Sequence, residues 1–158
     1  MRIEKVKIYL DDVRTPIDKE WIVVRNYEQF VTNINRYGLE NIEMISLDHD
    51  LGDTAMVEYY NNVRDNYKID YSNIVEKTGY DCCKFLVNRS IETSIPLPQI
   101  FVHSANPVGA HNMMGYIDNY QKNCRLPSIC RYQTFPHTID EQFQMSPEVR
   151  EAKWRRND

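Results

Sequence analysis

The sequence predicts an α/β domain in which a mostly parallel, five-stranded sheet is doubly wound by helices. Apolar, β-branched runs alternate with stretches of helical periodicity, the pattern of strand-helix-strand units. Three of the apolar runs also stop abruptly in polar chemistry. Ile8-Tyr9-Leu10 leads into Asp11-Asp12, Met44-Ile45-Ser46-Leu47 into Asp48-His49-Asp50, and Ile100-Phe101-Val102 into His103-Ser104-Ala105-Asn106. Open parallel sheets bind ligands outside the carboxyl ends of their strands, so this fold would gather all three polar ends in one crevice.

The elements follow in order. Val6 to Leu10 reads as the first strand and Trp21 to Arg25 as the second, rich in β-branched residues. Only about ten residues lie between them, fewer than a helical crossover needs, so the first crossover is shortened to a turn. Asn26 can cap a helix to Tyr37, with Gln29 three residues on, an apolar stripe of Tyr27, Phe30, Val31, Ile34 and Tyr37, and Gly38 as the stop. Met44 to Leu47 is the third strand. Residues 53–77 then form an insert in which Thr54 could cap a helix carrying Met56, Tyr59, Tyr60, Val63 and Tyr67.

Thr78 begins the next helix, with Asp81 placed for a capping box and Phe85 and Leu86 facing inward. Gln99 to Val102 is the fourth strand. Asn106 caps and Pro107 opens a helix that uses Ala110, Met113 or Met114, Ile117 and Tyr120. A fifth strand falls near Cys130 to Phe135, and Ser146-Pro147-Glu148 starts a helix in the tail over 140–158. The 158 residues suit one domain, 1–158.

A net charge of −4 gives no extended nucleic-acid-binding face. No apolar run approaches the roughly 18 residues of a membrane span, and the amino terminus lacks a signal-peptide core, so a cytoplasmic protein with no membrane partner is expected. The four cysteines show no Cys-x-x-Cys spacing and read as reduced, mostly buried thiols.

Burying charges at strand ends costs desolvation unless a cation or hydrogen bonds compensate. Asp11, Asp12 and Asp48, from neighbouring strands, supply the hard oxygen ligands that Mg²⁺ or Mn²⁺ prefers, and Asp50 is a further candidate ligand. His49 and His103 could each protonate a leaving oxygen or bind phosphate, or be hydrogen-bonded core residues; strand alternation turns His49 away from Asp48 and Asp50. Ser104, Asn106 and Gly109 suit an anion seat at a helix start. Arg14 could complete that seat or simply neutralise Asp12. The tyrosine-rich insert leaves from the rim of this site, as a lid or specificity element would, or packs on the domain's side or on a second subunit to form a homo-oligomer.

Together these elements resemble a receiver-like, flavodoxin-like domain. The resemblance makes Asp11 and Asp12 the metal-binding acids, Asp48 the phospho-acceptor and Ser104 the hydroxyl residue. The lysine that receivers carry after the fifth strand has no counterpart in Arg131-Tyr132-Gln133-Thr134-Phe135-Pro136. A closer resemblance is to the cyclic-phosphate processing receiver domains. It rests on Leu10-Asp11-Asp12-Val13-Arg14, Ser46-Leu47-Asp48-His49-Asp50-Leu51-Gly52, Thr78-Gly79-Tyr80-Asp81 and His103-Ser104-Ala105-Asn106-Pro107-Val108-Gly109-Ala110. It implies a metal-dependent phosphohydrolase or phosphodiesterase acting on a nucleotide or an RNA-end cyclic phosphate, with Asp48, His49 and His103 in catalytic roles. The alternative is a non-catalytic module that sequesters a nucleotide signal or is phosphorylated on Asp48.

Overall fold

In the computed structural model, which describes residues 4–140 and 143–155, strands β3 (Trp21–Val24), β1 (Val6–Leu10), β4 (Ile42–Leu47), β5 (Gln99–Val102) and β6 (Cys130–Tyr132) pair in that order. Every pairing is parallel. This is the predicted α/β sheet, with the second long strand beside the first. The order reverses between β1 and β4, and such a switch point opens a crevice at the carboxyl ends of the two strands.

Parallel partners in register point to the same face. Ile8, Ile22, Ile45, Ile100 and Cys130 share one row, and Leu10, Val24, Leu47 and Val102 the next. Among the described residues, the three long helices α1 (Tyr27–Tyr37), α4 (Gly79–Thr93) and α5 (Pro107–Asn123) pack on this face through Phe30, Ile34, Cys82, Leu86, Ala110, Met113 and Ile117. The opposite face carries Lys7, Tyr9, Trp21, Met44 and Phe101, covered by aromatic contacts rather than a long helix. Phe135 lies edge-on to Trp21 at 5.1 Å and to Phe101 at 5.3 Å.

The shortened first crossover accounts for that difference. Residues after β1 form β2 (Arg14–Pro16), which pairs antiparallel with β7 (His137–Ile139) in a two-stranded ribbon that the sequence reading did not anticipate. Three-residue strands carry too little periodicity to be seen.

The caps follow the sequence closely. Asn26 accepts from the Gln29 amide, Thr78 and Asp81 form a reciprocal capping box, Asn106 accepts from the Gly109 amide with Pro107 in the first turn, and Ser146 caps α6 (Pro147–Trp154). The insert departs from the expected continuous helix. Its α2 (Asp53–Glu58) starts at Gly52 rather than Thr54, runs into a π-helical turn over Tyr59–Val63, and ends in α3 (Arg64–Asn66) with Tyr67 left-handed at φ 54°. Thr54 instead hydrogen-bonds the Glu76 carboxylate, which also accepts the Ala55 amide and so caps α2 from outside.

The tail helix α6 packs on α2 and the π turn, where Ala55, Val63, Val149 and Ala152 are buried apart from the main core. The ends of the predicted tail and amino terminus, 156–158 and 1–3, lie outside the described residues. Cys82, Cys83 and Cys130 are buried and Cys124 is exposed. No helix among the described residues is long and apolar enough to cross a membrane.

Gly79 ties α4 to the sheet. Its amide donates to the His49 carbonyl at 2.9 Å, and a β-carbon there would run into the Asp48 carbonyl, a backbone atom that cannot rotate away. Gly79→Ala should therefore lower stability by about 2 kcal/mol in urea unfolding, as overpacking does. An unchanged midpoint would show that the start of α4 moves freely relative to the end of β4.

Candidate functional site

The register of the sheet sets the site. Leu10 pairs with Leu47 and Leu47 with Val102, and the ladder runs one residue further, with the Asp48 amide donating to Leu10 O and the His103 amide to Leu47 O, both at 3.0 Å. Asp11, Asp48 and His103 thus stand in one row at the carboxyl edge. One oxygen each of Asp11, Asp12 and Asp48 lie within 4.8 Å of one another, a group that could hold a metal ion.

A cleft opens above this group, with a volume of about 160 Å³. Its lining includes Asp12, Asp48 and Asp50, Arg14, Ser104 and Asn106, and Met56, Tyr59 and Tyr60 from the insert. Among the described residues, Arg14 is the only cation of that lining.

Asp11 is the fixed member of the group. Its Oδ1 accepts the Val13 amide at 2.9 Å and the Arg14 amide at 2.8 Å, and its Oδ2 faces His103 Nε2 at 3.1 Å and Arg14 Nε at 3.7 Å. Burial pushes its carboxyl up, but the hydrogen bonds from His103, Val13 and Arg14 outweigh that and hold it below the usual range. Asp12 and Asp48 lack such support. Burial, followed by the charge of Asp11, raises Asp12 to about 7. Burial, then Asp11 and Asp50, holds Asp48 well above an ordinary carboxyl although its Oδ1 accepts the His49 amide at 2.8 Å.

Neither imidazole lines the cleft. His103 is buried, with Nε2 on Asp11, Nδ1 2.7 Å from Ser46 Oγ, and its ring stacked on Tyr9 at 4.4 Å. A carboxylate accepts only, so Nε2 carries the proton and Ser46 donates to Nδ1, a neutral ring. Burial lowers the pKa of His103 despite Asp11, which agrees with that state. His49 is also fully buried, against Gly109, where a β-carbon would meet its ring. The expectation that it turns away from Asp50 fails, because the strand ends at Leu47 and the chain bends. His49 Nδ1 lies 2.6 Å from Asp50 Oδ1, and Nε2 lies 3.0 Å from the Tyr71 hydroxyl, itself bonded by Asn112.

The start of α5 is a less open anion seat than expected. Pro107 has no amide proton, the Gly109 amide is taken by Asn106 Oδ1 at 2.9 Å, and the Asn106 amide by Ser104 Oγ at 3.1 Å. Gly109 therefore serves the packing of His49, while Ser104 and Asn106 reach the cleft. Asn106 Nδ2 donates to Asp50 at 3.2 Å, so Asp50, absent from the three-acid group, is held by an imidazole and an amide at the cleft edge.

The sequence reading missed Arg25. Its Nη1 donates to the carbonyls of Asp11 at 3.1 Å and Arg14 at 2.6 Å, and its Nη2 to Thr15 Oγ1, clamping the acidic loop. The pairing of Leu10 with Val24 places Arg25 beside Asp11, so a correct register would have pointed to it.

The Asp12 carboxyl has a testable sign. Its pKa rises from 3.8 in the unfolded chain to about 7 in the folded one, so folding takes up a proton in that window and the contribution is lost as pH rises. His103, lowered by burial, acts with the opposite sign, which a comparison with a variant cancels. In metal-chelating buffer, Asp12→Asn should gain stability relative to wild type as pH rises from about 4 to about 7 and stay level above. A difference that is flat across this range in thermal unfolding would remove the assignment of a raised Asp12.

The model of the cyclic-phosphate processing receiver domain matches residues 6–119, well over half of the chain. Searches of curated proteins and of solved structures give no match. With its motifs at the ends of β1, β4 and β5 and at the start of α4, all inside that match, the chain belongs to the cyclic-phosphate processing receiver domain family.

Proposed function

We propose that the protein is a Mg²⁺- or Mn²⁺-dependent phosphoric ester hydrolase that opens a cyclic phosphate on a nucleotide or an RNA end. The group of three carboxylates carries this reading, because it leaves the cleft floor negative with one arginine beside it, a surface that repels a phosphate until a divalent cation neutralises it. All three donors are hard oxygens, and burial, with the neighbouring carboxylate charges behind it, raises Asp12 and Asp48, a cost of ionisation that a cation would relieve. A bound divalent cation would supply charge neutralisation and polarisation of the phosphoryl oxygen.

The protein groups divide the remaining work. Asp11, Asp12 and Asp48 would hold the cation, with Asp11 kept in place by His103 and the Arg25-clamped loop. Arg14 pairs with a phosphoryl oxygen at the wall, with the Ser104 hydroxyl beside it. Asp50 is the carboxylate outside the cation group, held at the cleft edge by contacts with His49 Nδ1 and Asn106 Nδ2. It takes the proton of the attacking water and returns it to the ester oxygen released when the ring P–O bond breaks, so that one water is consumed per ring opened. The acid-base role expected of His49 and His103 passes to this carboxylate in this reading, since both rings are buried and neither lines the cleft.

Turnover of 2′,3′-cyclic and 3′,5′-cyclic nucleotides and cyclic oligonucleotides with Mg²⁺ or Mn²⁺ tests the reading. Asp48→Asn should cut turnover by about a hundredfold or more while circular dichroism stays native. Asp50→Asn should lower kcat and leave the Mg²⁺-induced rise in melting temperature intact. Full activity in Asp48→Asn would overturn the assignment. Binding without turnover across the panel would assign nucleotide sequestration instead.

A further inference from the structure

The cleft lining is of two chemical kinds, and only the acidic one is explained by phosphate chemistry. The other is Met56, Tyr59 and Tyr60, contributed by the insert. The π-helical turn begins at Tyr59, and Tyr59 and Tyr60 both line the cleft. Their rings pack edge to face at 5.0 Å, and the Arg64 guanidinium lies 5.2 Å from the Tyr60 ring centroid, fixing the pair.

This wall is braced rather than loose. Buried Glu58 accepts from Asn62, Asn73 and the Asp70 amide, closing the segment after the turn, and Arg64 donates to the carbonyls of Lys153 and Arg155 in the tail. A rigid aromatic and thioether surface facing a phosphate site has no role in breaking a phosphoester. It is the surface on which a flat base stacks. Among the described residues, the lining offers no second cation to track a polynucleotide backbone.

We infer that Tyr59 and Tyr60 form a base-stacking platform that makes a single nucleotide, rather than a base-free phosphoester or an RNA strand, the ligand of this cleft. The inference rests on the proposed phosphate site and adds what lies beyond the phosphate. The platform selects for a base without reading its edge, since stacking tolerates every base, and sets affinity rather than the chemical step.

The test measures affinity by calorimetry with Mg²⁺, in parallel with turnover. The probes are a nucleoside 2′,3′-cyclic phosphate, ethylene cyclic phosphate as a base-free ester, and a short RNA ending in a 2′,3′-cyclic phosphate. Wild type should bind the nucleotide at least roughly tenfold more tightly than the base-free ester, and the RNA no more tightly than the nucleotide. Tyr60→Ala, and Tyr60→Leu as a variant that keeps bulk, should erase most of that preference through KM, with kcat and the base-free ester unaffected; Tyr60→Phe should retain it. Equal wild-type affinity for nucleotide and base-free ester, a preference that survives in the Tyr59→Ala/Tyr60→Ala double variant, or RNA bound tenfold more tightly than the nucleotide would overturn the inference. Efficient turnover of both small esters without a preference would leave the hydrolase standing and remove the platform. A preference without turnover would leave the platform standing and remove the hydrolase.

Discussion

Carboxylate oxygens from Asp11, Asp12 and Asp48 lie within 4.8 Å of one another at the edge of a buried sheet, and their mutual repulsion organises the structure around them. Three charges in that position are tolerable only if each is hydrogen-bonded, protonated or neutralised. The protein uses these remedies unevenly. Asp11 receives two backbone amides and a buried imidazole, so its charge is settled before any ligand arrives. Asp12 and Asp48 are left facing the cleft with their carboxyls held above the ordinary range. The uncompensated cost of burying charge is therefore concentrated on the two acids of the group that line the cleft.

The histidines belong to this arrangement as supports. His103 joins Ser46 within the sheet to Asp11 at its edge, so a side chain of β4 steers a carboxylate after β1 through a ring after β5. His49 does the corresponding work for Asp50, with Tyr71 and Asn112 behind it. Both rings use both nitrogens inside the protein. Neither ring lines the cleft, whereas Asp50 does, held there by His49 and Asn106.

The fold was legible because its signals are local and repeated. Strand ends, caps at Asn26, Thr78, Asn106 and Ser146, and apolar stripes each occupy a few consecutive residues, and all were readable without knowing what packs against them. The three-acid group was legible for a related reason, since parallel strands in a common register bring their carboxyl ends together. What escaped depends on distance or on broken periodicity. Arg25 clamps a loop that only the register places beside it, the β2–β7 ribbon joins segments far apart in the chain, and Tyr71 reaches His49 across the insert. Gly109 carried the right signal with the wrong cause, because close approach of an imidazole demands glycine as firmly as close approach of a phosphate does.

The missing receiver lysine and the added insert are two sides of one change in how the crevice is used. The chain after β6 turns away from the acids: the Gln133 amide continues the ladder to Val102, and Phe135 then covers the second face of the sheet between Trp21 and Phe101. That segment closes a surface on which no long helix packs among the described residues, and no cation from it reaches the cleft lining. The insert, braced on α6, instead adds tyrosines and a methionine rather than charge to the lining. The crevice lining therefore combines acids that follow β1 and β4 and one arginine with a methionine and two tyrosines that only the insert supplies, so its charged part comes from the strand ends and its aromatic part from an addition to them.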